Sequence, residues 1–254
     1  MKIFASDYDG TIKIDGVVSK RNLAALKDWQ SKGNRFGIVT GRSVESVQQE
    51  IAKYGYELDF LVCNNGGVIY DGQMNQLECF CIAYEKAIEL IEEIRQMDCN
   101  SFVLNNGVQR AKEIVNSDYE DYKYGTYSSN YTVEKIMEEK RIAQIVISLN
   151  DNDLGKQLAS SINQKYHGYV EAYPNVNCVD IVPFGISKAS GLAYVAEHFG
   201  YAKEDIYTMG DSYNDLPMLK KYQSATLKDT FADVRKEIAN QVSDVAEYLN
   251  SLLK

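Results

Sequence analysis

The stretch Lys2-Ile3-Phe4-Ala5-Ser6-Asp7-Tyr8-Asp9-Gly10-Thr11 decides the fold. An apolar run ends in two acids separated by a single residue. On an extended backbone, Asp7 and Asp9 point to the same side, and Gly10 lets the chain turn sharply just beyond them. One carboxylate can attack while the second handles a proton, and both can sit near a divalent cation. With each residue type filling roughly 6–7% of positions, D-x-D-G-T arises by chance at about 10⁻⁵ per position. The match therefore carries information before any other motif is considered.

Working outward, strand and helix signals alternate. Lys2–Ser6 reads as a strand, and Ser19 caps a helix running to about Lys32, where Gly33 stops it. Arg35–Val39 reads as a second strand, 43–54 as a helix and Phe60–Cys63 as a buried third strand. This rhythm predicts an α/β fold with a Rossmann-like parallel-sheet core, whose ligands bind beyond the carboxyl ends of the strands. The rhythm returns near the C-terminus, with a helix over 187–199, a strand over 205–209 and helices over 216–221, 229–238 and 244–253. Between these halves the texture changes. A helix over Tyr84–Met97 precedes two strand-like runs, 101–104 and 108–112, joined by the hairpin signal Asn105-Asn106-Gly107. A strand over 142–149, a helix to about Lys165 and a hairpin over 169–182 follow. The expected organisation is a discontinuous core domain, 1–81 with 183–254, and an inserted α+β cap domain over 82–182, with hinges near Cys81 and Pro183.

Three further segments border predicted strand ends. Ile38-Val39-Thr40-Gly41-Arg42-Ser43 closes the second strand and enters a helix. A hydroxyl there, beside the free N–H groups of a helix N-terminus, suits a phosphate oxygen. Lys188 falls in the first turn of a helix, where the dipole disfavours it unless a phosphate or carboxylate cluster lies close. Met209-Gly210-Asp211-Ser212-Tyr213-Asn214-Asp215 puts two carboxylates and an amide within one turn of a strand end. Crowded hard oxygens of this kind suit Mg²⁺, which prefers few carboxylates plus phosphate.

Composition bounds the alternatives. Net charge is −9, from 27 basic and 36 acidic residues, which argues against wide contact with nucleic acid. No apolar stretch is long enough to span a membrane. The N-terminus runs straight into the acidic motif, leaving no room for a signal peptide. Five cysteines without a C-x-x-C pair read as reduced thiols of a cytoplasmic protein, with Cys79 and Cys81 on one face of a strand as packing residues. The sequence carries no signal of oligomeric state.

The four segments together, D-x-D-G-T, T-G-R, K and G-D-x-x-N-D, resemble the haloacid dehalogenase superfamily of phosphotransferases. More closely, the chain is similar to the Cof-type phosphatases, with a large α+β (C2B-type) cap between the second and third motifs. Asn64-Asn65-Gly66-Gly67 is similar to the turn that precedes the cap in that subgroup. The resemblance implies a Mg²⁺-dependent phosphatase acting on a small phosphorylated metabolite through an aspartyl-phosphate. It implies Asp7 as nucleophile and Asp9 as general acid and base. Thr40, Gly41, Lys188 and Asn214 would surround the phosphate. Asp7, the Asp9 carbonyl and Asp211 would bind the metal, and Asp215 would hold a metal-bound water or position Lys188. Tyr8 departs from the usual aliphatic residue, Ser212-Tyr213 replaces small residues, and Ala225–Lys228 departs from the usual small-residue turn.

Other readings fall away. Aligning Gly10 with the invariant glycine of an EF-hand leaves Ala5 and Gly16 where acids are required. His167 and His198 belong to no serine or cysteine hydrolase constellation; His198 reads as core-side and His167 as part of a turn. The acid at Asp9 resembles phosphatases and phosphomutases, so a mutase, or a metabolite-binding regulator without turnover, is the alternative. The sharper reading of Tyr119, Tyr122, Tyr124, Tyr127 and Tyr131 is an aromatic wall for a sugar or cofactor ring, and the blander one is a partly buried face. Cap motion about the hinges would admit substrate.

Overall fold

The computed structural model describes residues 1–118, 121, 125, 127, 129–175 and 177–254, except the side chains of Asn152 and Asp153. The chain forms two compact units, Met1–Arg42 with Ser46–Glu78 and Ser187–Lys254, and Cys79–Ile186 with Ser43–Glu45.

In the first unit, β1 (Ile3–Ser6) is buried at every residue and leads to a two-stranded ribbon, β2 (Lys13–Ile14) and β3 (Val17–Val18). Then come α1 (Lys20–Ser31), capped by the Ser19 side chain, β4 (Arg35–Val39), α2 (Val44–Tyr54) and β5 (Phe60–Cys63). A hairpin of β6 (Val68–Asp71) and β7 (Gln76–Cys79) follows. In the second unit come α3 (Tyr84–Ile94), β8 (Ser101–Asn105), β9 (Arg110–Ile114), α4 (Val133–Glu139), β10 (Gln144–Ser148), α5 (Asn152–Lys165), β11 (Val170–Asn175) and β12 (Cys178–Pro183). The chain returns through α6 (Lys188–Phe199), β13 (Ile206–Gly210), α7 (Leu216–Lys221), β14 (Gln223–Leu227), α8 (Ala232–Glu237), β15 (Gln241–Val242) and α9 (Val245–Leu252).

The core sheet runs β15-β14-β13-β1-β4-β5-β6-β7, and β15 through β5 pair in parallel. β1 lies between β13 and β4. Ser6 is in register with Met209 on one side and Ile38 on the other, so three motifs leave the sheet at one level. Phe4 stacks on Phe36 at 5.9 Å and meets Trp29 and Tyr248 edge-on, joining β1 to the helices over it. Phe60–Cys63 matches the expected strand residue for residue.

The second unit is an antiparallel sheet, β11-β12-β10-β8-β9. Alternation sorts its side chains. Phe102, Leu104, Ile145, Ile147, Val179 and Ile181 join one apolar core with Leu90, Ile91 and Ile94 of α3 and Ile162 of α5. Their neighbours Ser101, Asn105, Gln144, Ser148 and Asp180 are buried polar residues.

Several expectations need correction. The strand after the Asn-Asn-Gly turn begins at Arg110, not Val108. Asn105 Oδ1 accepts from the Gly107 N–H, and Asn106 Oδ1 accepts from Val108 and Gln109. These side-chain turns lengthen the expected three-residue connection, 105–107, to a four-residue loop, 106–109. The helix expected over 229–238 is confined to Ala232–Glu237, because the Thr230 hydroxyl is bonded to the Asp211 carbonyl. Ala225–Lys228 lies largely in β14, which the periodicity did not reveal. His198 is exposed, flanked by Tyr194 and Phe199, rather than core-side. Cys79 ends β7 and Cys81 lies beyond it, so the two do not share a strand face as expected. No helix among the described residues is long and apolar enough to cross a membrane.

Candidate active site

The site begins where β1 stops. The Asp7 N–H donates to the Met209 carbonyl at 2.8 Å, which extends the β1–β13 pairing by one step and sets Asp7 beside Gly210-Asp211. Gly10, at φ +84°, turns the chain back. A Cβ on Gly10 would lie within 2.8 Å of the Asp211 carboxylate, so both backbone angle and space demand glycine. Thr11 Oγ donates to Asp211 Oδ1 at 2.6 Å.

Lys188 is buried at the start of α6, and its Nζ donates to Asp7 Oδ1 and to Asp215 Oδ1, each at 2.6 Å. Ser187 caps the helix reciprocally with Ser190, so the cap fixes where Lys188 leaves the backbone. Asp215 Oδ2 accepts from the N–H groups of Asp211 and Ser212, so this buried carboxylate is held at both ends.

The electrostatics follow from burial. Asp7 is pushed well above the ordinary carboxyl range, first by desolvation and further by Asp215 and Asp211, against the pull of Lys188. Asp211 is raised to about 6 by burial and by Asp215. Burial alone would lower the Lys188 ammonium, but Asp215 and Asp7 outweigh it and hold the ammonium above the ordinary lysine value. Three carboxylates thus face one ammonium, and the excess negative charge calls for a cation or for protons. Asp7, Asp211 and Asp215 each offer an oxygen within 4.8 Å of the others, a hard-oxygen set that fits a divalent cation. Asn214 Nδ2 donates to Asn65 Oδ1 at 3.0 Å, and its buried Oδ1 has no hydrogen-bond partner among the described residues. That leaves an acceptor for a metal-bound water or a protonated phosphate oxygen.

The Asp9 side chain is absent from this cluster. It is half-exposed and gripped by Arg42, with Nε 2.5 Å from Oδ2 and Nη2 2.7 Å from Oδ1. Arg42 also donates to Ser46 and lies over the Tyr8 ring, whose hydroxyl donates to Glu50. Glu50 accepts from Lys13 as well. Burial alone would lower Arg42, but Asp9 and Glu50 hold it above the ordinary arginine range. Arg42 is therefore an ion-pair partner of the core, and Tyr8 supplies its platform. Thr40 is buried at the end of β4, where its Oγ accepts from the Arg42 N–H, and Gly41 is half-buried beside it. Tyr213 turns toward Phe231 and donates to Asp233.

Sequence reasoning passed over Thr11, Asn65 and the Tyr8–Glu50 pair. Asn65 had a signal, since it sits in the Asn-Asn-Gly-Gly turn. Asn64 and Asn65 take left-handed angles there, and a Cβ on Gly66 would overlap the Ser187 carbonyl. Glu50 had none, because its neighbours come from three separate segments.

A profile of the haloacid dehalogenase-like hydrolases matches residues 4–253. The chain belongs to this family. It is 25% identical over 248 residues to the 5-amino-6-(5-phospho-D-ribitylamino)uracil phosphatase of Bacillus subtilis, covering 96% of this chain and 90% of that one. It is 22% identical over 220 residues to an HMP-PP phosphatase of Klebsiella pneumoniae, covering 86% and 80%. In fold it is similar to a HAD/COF-like hydrolase from Plasmodium vivax, with a TM-score of 0.83, 21% identity and coverage of 100% and 95%.

Proposed function

We propose that this chain is a Mg²⁺-dependent phosphatase of small phosphate monoesters, sugar phosphates or similar metabolites, working through a phosphoryl group carried on Asp7. The observation that carries this reading is the buried Lys188 bridging Asp7 and Asp215, with Asp211 alongside, in a chain of a hydrolase family. Phosphoryl transfer asks for in-line positioning and charge neutralisation more than for new covalent chemistry. Lys188 grips Oδ1 of Asp7 and so orients the carboxylate that attacks phosphorus. As the Asp7–phosphorus bond forms and the ester bond breaks, Asp9, released from Arg42 and protonated from solvent, gives that proton to the departing alcohol oxygen. Water then attacks phosphorus, Asp9 takes its proton, and the Asp7–phosphate bond breaks to release phosphate.

Thr40, Gly41, Asn214 and Lys188 hold phosphoryl oxygens in this scheme. Asp7, the Asp9 carbonyl, Asp211 and Asp215 would hold Mg²⁺, directly or through water. Mg²⁺ supplies positive charge against the phosphoryl oxygens and removes the mutual repulsion of the carboxylates. The inserted unit favours hydrolysis over a mutase, which needs cationic groups for a second phosphate. Arg95 is paired with Glu92 and Glu113, Arg110 lies over the Tyr127 ring, and Arg141 faces Cys79 and Cys81, which raise it above the ordinary arginine value. Tyr127 donates to the Arg110 carbonyl and Tyr131 to Glu139, which supports the blander reading of these two tyrosines. Tyr119, Tyr122 and Tyr124 lie outside the described residues.

The test is phosphate release from a panel of phosphorylated metabolites, with Mg²⁺ and with EDTA, for the wild type and Asp7→Asn. Release that needs the metal and falls at least about 10³-fold in the variant is expected. Turnover by Asp7→Asn at the wild-type rate would remove the nucleophile from the scheme.

A further inference from the structure

At the end of β7 the chain reads Cys79-Phe80-Cys81, at the point where it passes into the second unit. The two sulfurs lie 3.9 Å apart. Cys79 closes β7, while Phe80 and Cys81 lie outside any strand. The ladder therefore does not hold the Cys81 side, and a bend there can bring the sulfurs to bonding distance, about 2.05 Å. Both residues are half-buried, whereas Cys63, Cys99 and Cys178 are buried. The Arg141 guanidinium faces the pair and is raised above the ordinary arginine value, first by Cys79 and then also by Cys81. The Cys81 thiol is pushed up, first by its hydrogen bond to Cys79 and then by burial. Ionisation of Cys81 is therefore disfavoured, which makes Cys79 the attacking sulfur in the scheme below. The positive charge of Arg141 favours a thiolate in the pair and repels a metal ion. A thiolate beside a cation, with a second thiol in reach, is the environment of an oxidisable pair.

We propose that Cys79 and Cys81 are a reversible disulfide site, oxidised by a peroxide ahead of the other cysteines of the chain. The Cys79 thiolate attacks one peroxide oxygen, the O–O bond breaks, and hydroxide leaves as the first water on taking a proton from solvent. Cys79 is now a sulfenic acid. The Cys81 sulfur attacks it, the S–S bond forms and the S–O bond breaks. The departing hydroxide takes the Cys81 proton and leaves as the second water. The sulfurs lose two electrons and the peroxide gains them. A ring closed across Phe80 alone is strained, and strained disulfides are the readily reduced ones. A small thiol reductant therefore reverses the step, as suits a transient sensor in a reducing compartment.

The experiment exposes the full chain to hydrogen peroxide, blocks remaining thiols with iodoacetamide and cleaves after glutamate. Cleavage at Glu78 and Glu85 isolates Cys79–Glu85, free of every other cysteine. The expected peptide is unalkylated, lighter than the dithiol by two hydrogens and restored by dithiothreitol. It forms at least about tenfold faster than Cys63, Cys99 or Cys178 reacts. In Cys81→Ser, a sulfenic acid on Cys79 is expected to be trapped by dimedone. Full alkylation of both cysteines while a buried one oxidises would overturn the proposal. So would oxidation of Cys81 at the wild-type rate in Cys79→Ser.

Discussion

At the scale of single residues, Lys188 shows how a site reverses a local rule. A lysine in the first turn of a helix meets the positive end of the dipole, and a buried one loses its hydration as well. Asp7 and Asp215, each 2.6 Å from Nζ, outweigh both penalties. Asp9 is the converse. It lies two residues from Asp7 in an acidic motif, yet its carboxylate is held by Arg42 rather than by the cluster. Gly10 makes the most exacting demand, because a methyl group there strains the backbone and presses on the Asp211 carboxylate. Gly10→Ala should lose more than about 1 kcal/mol of stability, read by denaturant unfolding. It should also lose most Mg²⁺-dependent turnover, through displacement of Asp211. Wild-type stability and turnover in this variant would contradict the packing described.

At the scale of elements, register does the assembling. Ser6 opposite both Met209 and Ile38 brings Asp7, Asp211 and Thr40 to one sheet edge, and α6 delivers Lys188 to it. The sequence showed Phe60–Cys63 and the Ser19 cap plainly, because a buried run and a capping hydroxyl are local signals. It did not show β14 or the four-residue loop after Asn105. The first depends on β13 as a neighbour, and the second on which backbone N–H groups two asparagine side chains reach. Ser187 offers a test at this scale. Ser187→Ala should cost about 1 kcal/mol of stability by removing the cap of α6. Loosening the helix start should also lower kcat more than it raises KM, because Lys188 orients Asp7. An unchanged kcat in the destabilised variant would show that the cap and the lysine are uncoupled.

At the scale of the whole molecule, the site gathers residues 7, 188, 211 and 215 across an insertion of about a hundred residues. Its carboxylates link stability, pH and metal. In the metal-free chain, Asp211 rises from an unfolded value of 3.8 to about 6, and Asp7 shifts the same way. The folded state therefore binds these protons more tightly than the unfolded state. Their contribution to stability is full below about pH 4 and is lost as pH rises through about 6. A divalent cation takes the place of the protons, so the rise in Tm on adding Mg²⁺ should be small at about pH 5 and larger at about pH 7.5. Equal shifts at both pH values, or the full shift in Asp211→Asn, would count against the carboxylate cluster as the metal site. By itself the sequence determined the alternating core, the inserted unit and the four motifs, since each is written in neighbouring residues through period, capping and turn chemistry. Only the tertiary structure decided that Lys188 bridges two carboxylates, that Arg42 takes Asp9, that Asn65 holds Asn214, and that Cys79 meets Cys81 beside Arg141. Except for Cys79 and Cys81, whose partner Arg141 is the distant one, those pairings join residues far apart in the chain, and burial, which sets their strength, exists only once the chain has folded.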